Sequence, residues 1–279
     1  MVKISADSTC DLSPSITKEF DIGITPLSVI VGDQQFQDGV SITPSEIFKY
    51  VEKDGKVCRT SAINVYDYQH YFAELSSNYD AVIHICLGSK FSSCYQNASL
   101  AAQAFKNVYV IDSQNLSTGS GQLVYEAALL ARENMTAEAI CQRLRDLIPK
   151  VRTSFIIDRL DYLRNGGRCS ALAAQGAKIL QIKPCIEVVD GQMIVGKKYR
   201  GTLEKCLKNY VKDKLQDRND IDLRRIFITH TVLDSELVMM VKEEIKKYSD
   251  FQDIIITDAG STVACHCGPN TLGILFILK

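Results

Sequence analysis

Apolar and polar positions follow two different periods along the first half of the chain. Compact apolar runs such as "DAVIHICLG" and "VYVID" are typical of buried strands. Between them lie longer segments, such as "ITPSEIFKYVEK", whose apolar residues recur every three or four positions, as in helices. Strands and helices that alternate at these lengths predict a parallel sheet with helices on its faces.

The second half combines its elements in another way. "KPCIEVVDGQMIVGKKYRG" predicts a hairpin that turns at Asp190-Gly191, and "ALAAQGAKILQ" and "TLEKCLKNYVKDKLQD" predict helices. We therefore predict an α/β protein of two domains. Residues 1–152 form an N-terminal parallel-sheet α/β/α domain, and residues 153–279 form a C-terminal mixed-sheet α/β domain.

Local signals refine several of these elements. Thr43, Pro44 and Glu46 predict a helix start with a capping box, and Asn64 is the expected cap of the next helix. "GITPLSVIV" is interpreted as one strand, and the apolar tail that follows the Gly268-Pro269 turn as the terminal strand.

Three polar clusters follow predicted strands. They are Asp7-Ser8-Thr9, Ser89 to Ser93, and Asp112-Ser113. Ligands of parallel sheets gather outside the carboxyl ends of the strands, so this edge is the expected binding region.

Charge and composition narrow the function classes. With 32 Lys and Arg against 33 Asp and Glu, the net charge of −1 provides no basic field for nucleic acid. No apolar run approaches the ~20 residues of a membrane span, and the first residues lack a secretory signal. The ten cysteines are scattered without a CxxC pair, which indicates a reducing compartment. We expect a soluble cytoplasmic protein without an integral membrane segment.

Small hydroxyl residues beside predicted helix starts are candidates for anion binding. They are Thr60 and Ser61 in "RTSAIN", and Ser92 and Ser93 in "SKFSSCYQNA". Helix N-termini attract anions, although capping is the more frequent role for any single serine. Only Arg59 accompanies Thr60 and Ser61, and no phosphate-binding glycine motif occurs. A carboxylate therefore suits these hydroxyls better than a phosphate.

His266, between Cys265 and Cys267, has four possible roles. These roles are metal ligand, catalytic base, ligand clamp and packed core histidine. Adjacent residues on a strand point to opposite faces, which disfavours a metal site. A catalytic role needs a nucleophile and an orienting acid, and no GxSxG motif is present.

Seven motifs in order resemble the DegV family. They are "ADSTCDL", "TS", "FSSCYQNA", "IDSQNLSTGSGQLV", "LDYLRNGGR", "KPCIEV" and "HCGPNTLGILF". The resemblance covers essentially the whole chain. It implies a two-domain α/β protein that binds one long-chain fatty acid, with no cofactor, and presents it to a separate fatty-acid kinase. The kinase would form an acyl phosphate for phospholipid synthesis.

The resemblance also implies roles for particular residues. The acyl chain would lie in an apolar tunnel within residues 1–152, and the carboxylate would contact Thr60, Ser61, Ser92 and His266. The site would thus end in uncharged hydrogen-bond donors drawn from both halves.

The chain departs from the family pattern at two motifs. The usual "TSQPS" reads "TSAIN", and "SGTY" reads "SSCY", so that Ser93 replaces a glycine within the expected carboxylate site. Arg168 and Arg200 match recurrent family arginines, and Arg200 is a candidate for kinase docking or a solvated hairpin residue. The alternatives are a hydrolase or transferase that uses Ser92 or Ser61 with His266, a lipid sensor without a kinase partner, and a structural protein.

Overall fold

The computed structural model describes residues 1–55, 57–168 and 182–279. Its strands in chain order are β1 (Val2–Asp7), β2 (Gly23–Thr25), β3 (Ser28–Val31), β4 (Gln34–Gln37), β5 (Cys58–Ser61), β6 (Ala81–Cys86), β7 (Val108–Asp112), β8 (Val151–Ile156), β9 (Ile182–Val189), β10 (Gln192–Arg200), β11 (Ile221–Thr231), β12 (Asp253–Asp258) and β13 (Thr271–Leu278).

Ten α-helices lie within these described ranges. They are α1 (Pro14–Glu19), α2 (Pro44–Asp54), α3 (Val65–Asn78), α4 (Cys94–Ala102), α5 (Thr118–Arg132), α6 (Ala137–Leu147), α7 (Leu160–Gly166), α8 (Leu203–Leu215), α9 (Ser235–Lys246) and α10 (Ser261–Cys267). Short 3-10 turns cover Ser8–Cys10 and Ile148–Lys150. The helix predicted at 171–181 lies outside the described residues. None of the helices described is long and apolar enough to cross a membrane.

The strands form three sheets. A four-stranded parallel sheet has the order β2-β1-β6-β7, and a six-stranded mixed sheet has the order β10-β9-β8-β13-β11-β12. These two sheets confirm the predicted α/β class, with a parallel first region and a mixed second region. β8 begins at Val151 and enters the six-stranded sheet, while the exact domain division stays a prediction.

A third, antiparallel sheet of order β4-β3-β5 was not predicted. It arises because "GITPLSVIV" is not one strand. Pro26, which has no backbone N–H for a sheet ladder, separates β2 from β3, and the two strands join different sheets. β3 pairs with β5, where Val29 lies opposite Thr60, so this small sheet sets the position of a candidate site residue.

Several local signals are confirmed. Thr43 and Glu46 form the capping box of α2 with Pro44 in its first turn, and Asn64 caps α3 through the Asp67 backbone N–H. Asp190 and Gly191 turn the β9–β10 hairpin with positive φ angles of 49° and 72°. These features depend on residues within one turn of each other, which is why the sequence alone reveals them.

The terminal strand predicted after Gly268-Pro269 is confirmed, but the residues before this turn form a helix. Residues Ser261–Cys267 form helix α10, which ends at Gly268 with a φ of 74°, and strand β13 begins only at Thr271. His266 therefore lies in the last turn of a helix. The strand geometry expected for residues 265–267 was therefore wrong. On a helix, however, consecutive side chains also diverge, so the three residues still do not face one point.

Apolar packing joins the two halves directly beneath the sheet edge. One buried cluster combines Leu87 and Leu116 from the loops after β6 and β7 with Phe155, Ile186 and Cys267 from the second half. Since such a cluster excludes water, the polar groups around it must find partners in the protein or in a ligand.

Candidate functional site

A cavity of about 250 Å³ lies where the two halves meet. Its volume is somewhat below the ~300–1,000 Å³ of common small-molecule sites. Its lining combines apolar and polar side chains from both halves: Thr9, Leu27, Thr60, Ser61, Ala62, Leu87, Phe91, Ser92, Ser93, Leu116, Arg168, Met193, Thr262, Val263, His266 and Cys267. All five residues expected to bind a carboxylate are among them.

The parallel sheet accounts for much of this lining. Thr9 follows β1, Leu87 and Phe91 follow β6, and Leu116 follows β7. These positions lie at the carboxyl ends of parallel strands, where the sequence analysis expected the ligand. Helix α10 covers the same edge from the second half.

A hydrogen bond joins Thr60 to His266 at one end of the cavity. The Thr60 Oγ1 atom, on β5, lies 2.8 Å from the His266 Nε2 atom, on α10. Both side chains are half-buried. The two residues are 206 positions apart, so only the packing of α10 against the small sheet brings them together.

The other imidazole nitrogen faces Gly166, the last residue of α7. His266 Nδ1 is buried and has no hydrogen-bond partner among the described residues. A Cβ atom at Gly166 would overlap this nitrogen. The neighbouring Gly167 has a φ of 68° and ends α7. The two glycines of the "NGG" motif therefore have separate roles, one in making space and one in ending a helix.

The environment keeps His266 neutral at physiological pH. Burial, helped by the nearby Arg168 guanidinium, lowers the pKa of His266 to about 4. A neutral imidazole has one N–H, and a buried acceptor without a partner is tolerated better than a buried donor. We therefore assign the proton to Nε2, which donates to Thr60 and leaves the threonine O–H free to donate to a ligand.

Helix capping, the common role of a serine beside a helix start, applies to only one of the three serines of the site. Ser92 Oγ accepts the Cys94 backbone N–H at 3.3 Å and so supports the start of α4. Ser93 is the N-cap residue of α4 but makes no side-chain cap hydrogen bond, and it is exposed. Ser61 is exposed and contacts only the adjacent Ala62 carbonyl, at 3.4 Å. Ser61 and Ser93 thus retain free hydrogen-bonding capacity at the cavity.

Two threonines of the lining were not among the residues expected to bind a carboxylate. Thr9 and Thr262 are 1% and 4% exposed, and neither hydroxyl has a partner among the described residues. Buried hydroxyls without partners are uncommon in folded proteins. Thr9 belongs to a polar cluster noted after β1, but nothing in the local sequence signals Thr262.

One lining residue carries a charge, contrary to the expected uncharged site. Arg168 lies beside the cavity with its Nη1 donating to the Gly166 carbonyl at 2.7 Å. Arg59, the only basic residue adjacent to Thr60 in sequence, is exposed on β5 and does not line the cavity. Arg200 is exposed at the end of β10, away from the cavity lining.

Within the described ranges, Asp7, His84 and Cys86 are a group whose ligand atoms are close enough to hold a metal. The polar atoms of Asp7 and His84 already have protein partners, however. Asp7 accepts hydrogen bonds from the Tyr68 hydroxyl at 2.5 Å and from the Leu87 backbone N–H at 2.7 Å, and it lies 3.2 Å from His84 Nε2. We therefore interpret this group as a buried network that ties the ends of β1 and β6 together.

The same network includes Ser5, whose hydroxyl lies 2.9 Å from His84 Nδ1. Ser5, His84 and Asp7 have the composition of a hydrolytic triad. Ser5 and His84 are completely buried, however, and none of the three residues lines the cavity. The arrangement has no access for a substrate.

Comparison with known proteins identifies the family. A model of the DegV family, described as a family of uncharacterised proteins, matches residues 1–279. The chain belongs to the DegV family. The resemblance found in the sequence motifs is thus confirmed over the whole length.

Other DegV proteins match the chain from end to end. A DegV domain-containing protein of Caldanaerobacter subterraneus is 31% identical over 99% of this chain and 98% of its own length. A protein of Thermotoga maritima named a fatty acid-binding protein is 29% identical over 98% and 96%.

Solved DegV structures have the same fold. A DegV family protein from Thermus thermophilus, described by its fatty acid binding, superposes with a TM-score of 0.88 at 27% identity over 100% of this chain and 99% of its own. A stearic acid-binding protein from Eubacterium ventriosum superposes with a TM-score of 0.85 at 26% identity, with the same coverage.

The contact between Gly166 and His266 generates a first prediction. In an open helix, Gly→Ala stabilises by roughly 0.5–1 kcal/mol. Gly166→Ala should instead destabilise the protein by about 1–3 kcal/mol, because the new methyl group displaces the imidazole. Urea unfolding of both proteins measures the difference.

A double-mutant cycle supplies the control. In a His266→Ala background the obstructing ring is absent, so Gly166→Ala should become neutral or stabilising. Equal destabilisation in both backgrounds would show that His266 does not occupy the space beside Gly166.

The low pKa of His266 generates a second prediction. The folded protein binds this proton only near pH 4, whereas the unfolded chain binds it near pH 6.5. The stabilising effect of the neutral imidazole is therefore present above pH 6.5 and is lost as the pH falls towards 4. The contribution of His266 to the free energy of unfolding should therefore decrease as the pH falls over this window, while the raised pKa of Asp11 contributes in the opposite direction.

Replacement of the titrating group isolates its contribution. In parallel urea titrations between pH 4 and 6.5, the slope of unfolding free energy against pH should be lower for His266→Gln than for wild type by about one proton, since the Asp11 contribution is common to both. Superimposable slopes for the two proteins would contradict a buried neutral His266.

Proposed function

We propose that the protein binds a long-chain fatty acid, with its carboxylate at the Thr60–His266 end of the cavity. The observation that carries this proposal is the meeting of these two side chains beside an apolar lining. DegV proteins described as fatty-acid-binding share the fold at 26–27% identity and support the same ligand class here.

The apolar lining matches an acyl chain. Leu27, Leu87, Phe91 and Leu116 come from the first half, and Met193 and Val263 from the second. Burial of about 15 methylenes supplies on the order of 12 kcal/mol of gross transfer free energy. Association and chain ordering cost a large part of it. The acyl chain is thus the main source of affinity, and it extends into the first half as the resemblance implies.

The polar groups match a carboxylate. A carboxylate leaving water needs donors, since an unpaired charge in an apolar environment is costly. Thr60, Ser61, Ser92 and Ser93 supply hydroxyl donors, and Arg168 supplies a positive charge. His266 orients the Thr60 hydroxyl as well as lining the site.

The spare hydroxyls of Thr9 and Thr262 extend this donor set. Each lies in the lining without a partner among the described residues. A bound carboxylate, or a water molecule beside it, would satisfy them.

The same geometry argues against a hydrolase or transferase. Such an enzyme needs an acid that orients the histidine. His266 Nδ1 has no partner in the described part of the chain, and its Nε2 contacts Thr60 rather than Ser61 or Ser92. A neutral imidazole with a pKa of about 4 is also a weak general base at pH 7.

We further propose that the bound carboxylate is presented to a separate fatty-acid kinase, which forms the acyl phosphate. Ser61, Ser93 and Arg168 are exposed around the cavity, so this end is accessible to a partner. Arg200 is the candidate docking residue on the second half. The protein would contribute recognition, and the kinase the phosphoryl transfer.

Native mass spectrometry and a fluorescent fatty-acid displacement assay test the ligand. The wild type should carry a fatty-acid mass, and Thr60→Val should bind palmitate about tenfold or more weakly, because a hydrogen bond to a charged group is lost. Thr17→Val, on α1 and outside the cavity lining, is the matched control and should bind normally.

Two results would contradict the ligand assignment. One is a wild type that neither carries nor binds any fatty acid. The other is a Thr60→Val variant with unchanged affinity, which would remove Thr60 from the carboxylate site. Turnover of acyl esters by the purified protein would favour the hydrolase instead.

A coupled assay tests the kinase proposal. A purified bacterial fatty-acid kinase with ATP should release ADP only when the acid-loaded protein is present. Arg200→Ala should slow this reaction by about fivefold at low protein concentration, while palmitate affinity stays unchanged, because a rim charge acts mainly on association.

Arg143→Ala, an exposed arginine on α6, is the matched control and should leave the rate unchanged. No ADP release with the wild type would refute presentation to the kinase while leaving fatty-acid binding intact. Equal rates for Arg200→Ala and wild type would refute docking at Arg200.

A further inference from the structure

Two buried carboxylates of the first half contact the start of α10. Asp11 belongs to the opening motif "ADSTCDL", and Asp38 follows β4. They are 5% and 2% exposed. Neither lines the cavity, so the proposed ligand site does not account for them.

We propose that Asp11 and Asp38 are positioning residues that hold α10, and through it His266, against Thr60. Of its two measurements, hydrogen exchange and palmitate affinity, only palmitate affinity rests on the proposed function. The residues act through the helix and do not touch the ligand.

The contacts are backbone hydrogen bonds between the halves. The Gly260 N–H donates to Asp11 Oδ1 at 2.8 Å, and the Ser261 N–H donates to Asp38 Oδ1 at 2.7 Å. The Ser261 hydroxyl adds a bond to the Ile42 carbonyl at 2.9 Å. Because the first N–H groups of a helix lack partners within it, these acceptors satisfy and orient its first turn.

The second oxygen of each carboxylate is anchored in the first half. Asp11 Oδ2 and Ser117 Oγ lie 2.5 Å apart, and the Ser8 hydroxyl donates to Asp38 Oδ2 at 2.8 Å. Ser8 Oγ in turn accepts the N–H of Leu27, a lining residue, at 3.2 Å. The carboxylates thus connect the first half, close to the cavity, with the start of α10.

The helix transmits this position to the site. α10 has seven residues, or about 10 Å at 1.5 Å per residue, and moves as a rigid element. Four residues at or near its ends line the cavity, namely Thr262, Val263, His266 and Cys267. A displacement of its first turn would therefore lengthen the 2.8 Å contact between His266 and Thr60.

The electrostatic environment of Asp11 makes its contact with α10 dependent on pH. Burial, with smaller effects from Asp38 and Asp258, raises the pKa of Asp11 to about 8 against the hydrogen bonds from Ser117 and Gly260. The thiols of Cys10 and Cys267 also face Asp11, and the pKa of each is raised to about 12, so they stay neutral.

Ionisation of Asp11 above pH 8 therefore places a negative charge in a buried position, where desolvation opposes it. Asp258 is mostly exposed, and His230 lies 3.6 Å from it. A group with a raised acid pKa stabilises the fold most below its unfolded pKa near 4, and this contribution is lost as the pH rises through 8. The contact with α10 should loosen in alkaline solution.

Hydrogen exchange of the ligand-free protein tests the proposal directly. Asp38→Ala should increase exchange in a peptide covering residues 261–267 by about tenfold, because the first turn loses its acceptor. Palmitate affinity should fall by a similar factor. Asp38→Asn should stay within about threefold of wild type in both measurements, since the amide oxygen still accepts the Ser261 N–H.

Thr202→Ala is the matched control. Thr202 caps α8 by accepting the Lys205 N–H, and it lies outside the cavity lining. This variant should exchange faster at α8 and leave residues 261–267 unchanged.

The pH arm uses Asp11→Asn, which cannot ionise. For wild type, exchange at α10 relative to α8 should rise between pH 7 and 9, and for Asp11→Asn it should stay flat. If Asp38→Ala does not fold, this pH comparison alone tests the positioning role. A parallel rise in both proteins, or unchanged exchange in folded Asp38→Ala, would overturn the proposal.

The two proposals fail in different ways. A wild type that binds no fatty acid, with exchange that responds to Asp38→Ala as expected, would refute the ligand and leave the positioning role intact. Normal fatty-acid binding with no response at α10 would refute the positioning role alone.

Discussion

The hydrogen bond between Thr60 and His266 joins the two halves of the chain at the polar end of the cavity, and the rest of the site depends on it. It requires β5 to present Thr60 at the edge of the small antiparallel sheet. It also requires α10 to lie against that sheet, with Gly166 leaving room for the imidazole. If any of these conditions fails, the polar end of the cavity is no longer assembled.

The chemistry at this end suits recognition better than bond-making. The buried imidazole is neutral, and its partner is a hydroxyl rather than an acid. Arg168 supplies the only charge in the lining among the described residues. A neutral donor set with one cation at its rim stabilises a carboxylate without activating a nucleophile. Membership of the DegV family and the fatty-acid ligands named for its solved members agree with this interpretation.

The division between apolar and polar lining also indicates how affinity and orientation are separated. The acyl chain would gain free energy in proportion to its buried area, which is non-directional. The hydrogen bonds fix which end of the molecule lies at the opening. Ser93 replaces a glycine of the family motif and remains exposed, so the substitution adds a hydroxyl there without burying it. Asp11 and Asp38 would act without touching the ligand, by holding helix α10, which carries the partner of Thr60.

The local sequence determined many elements because their causes lie within a few residues. The capping box at Thr43–Glu46 and the hairpin turn at Asp190-Gly191 are of this kind. Strand β6 could also be predicted, since five of its six residues are apolar, and all six are buried in the structure. The rule that ligands gather at the carboxyl ends of parallel strands then pointed to the edge of the sheet at which the cavity lies.

Residues 60, 61, 92, 93 and 266 were singled out as candidates from the sequence, through hydroxyls beside predicted helix starts and the resemblance to a family, and all five line the cavity. Only the tertiary structure decided the helix at Ser261–Cys267, the division of "GITPLSVIV" between two sheets, and the presence of Arg168, Thr9 and Thr262 in the lining. Periodicity and capping depend on neighbours within one or two turns. The convergence of donors depends on contacts between residues as far apart as 206 positions, which no local pattern encodes.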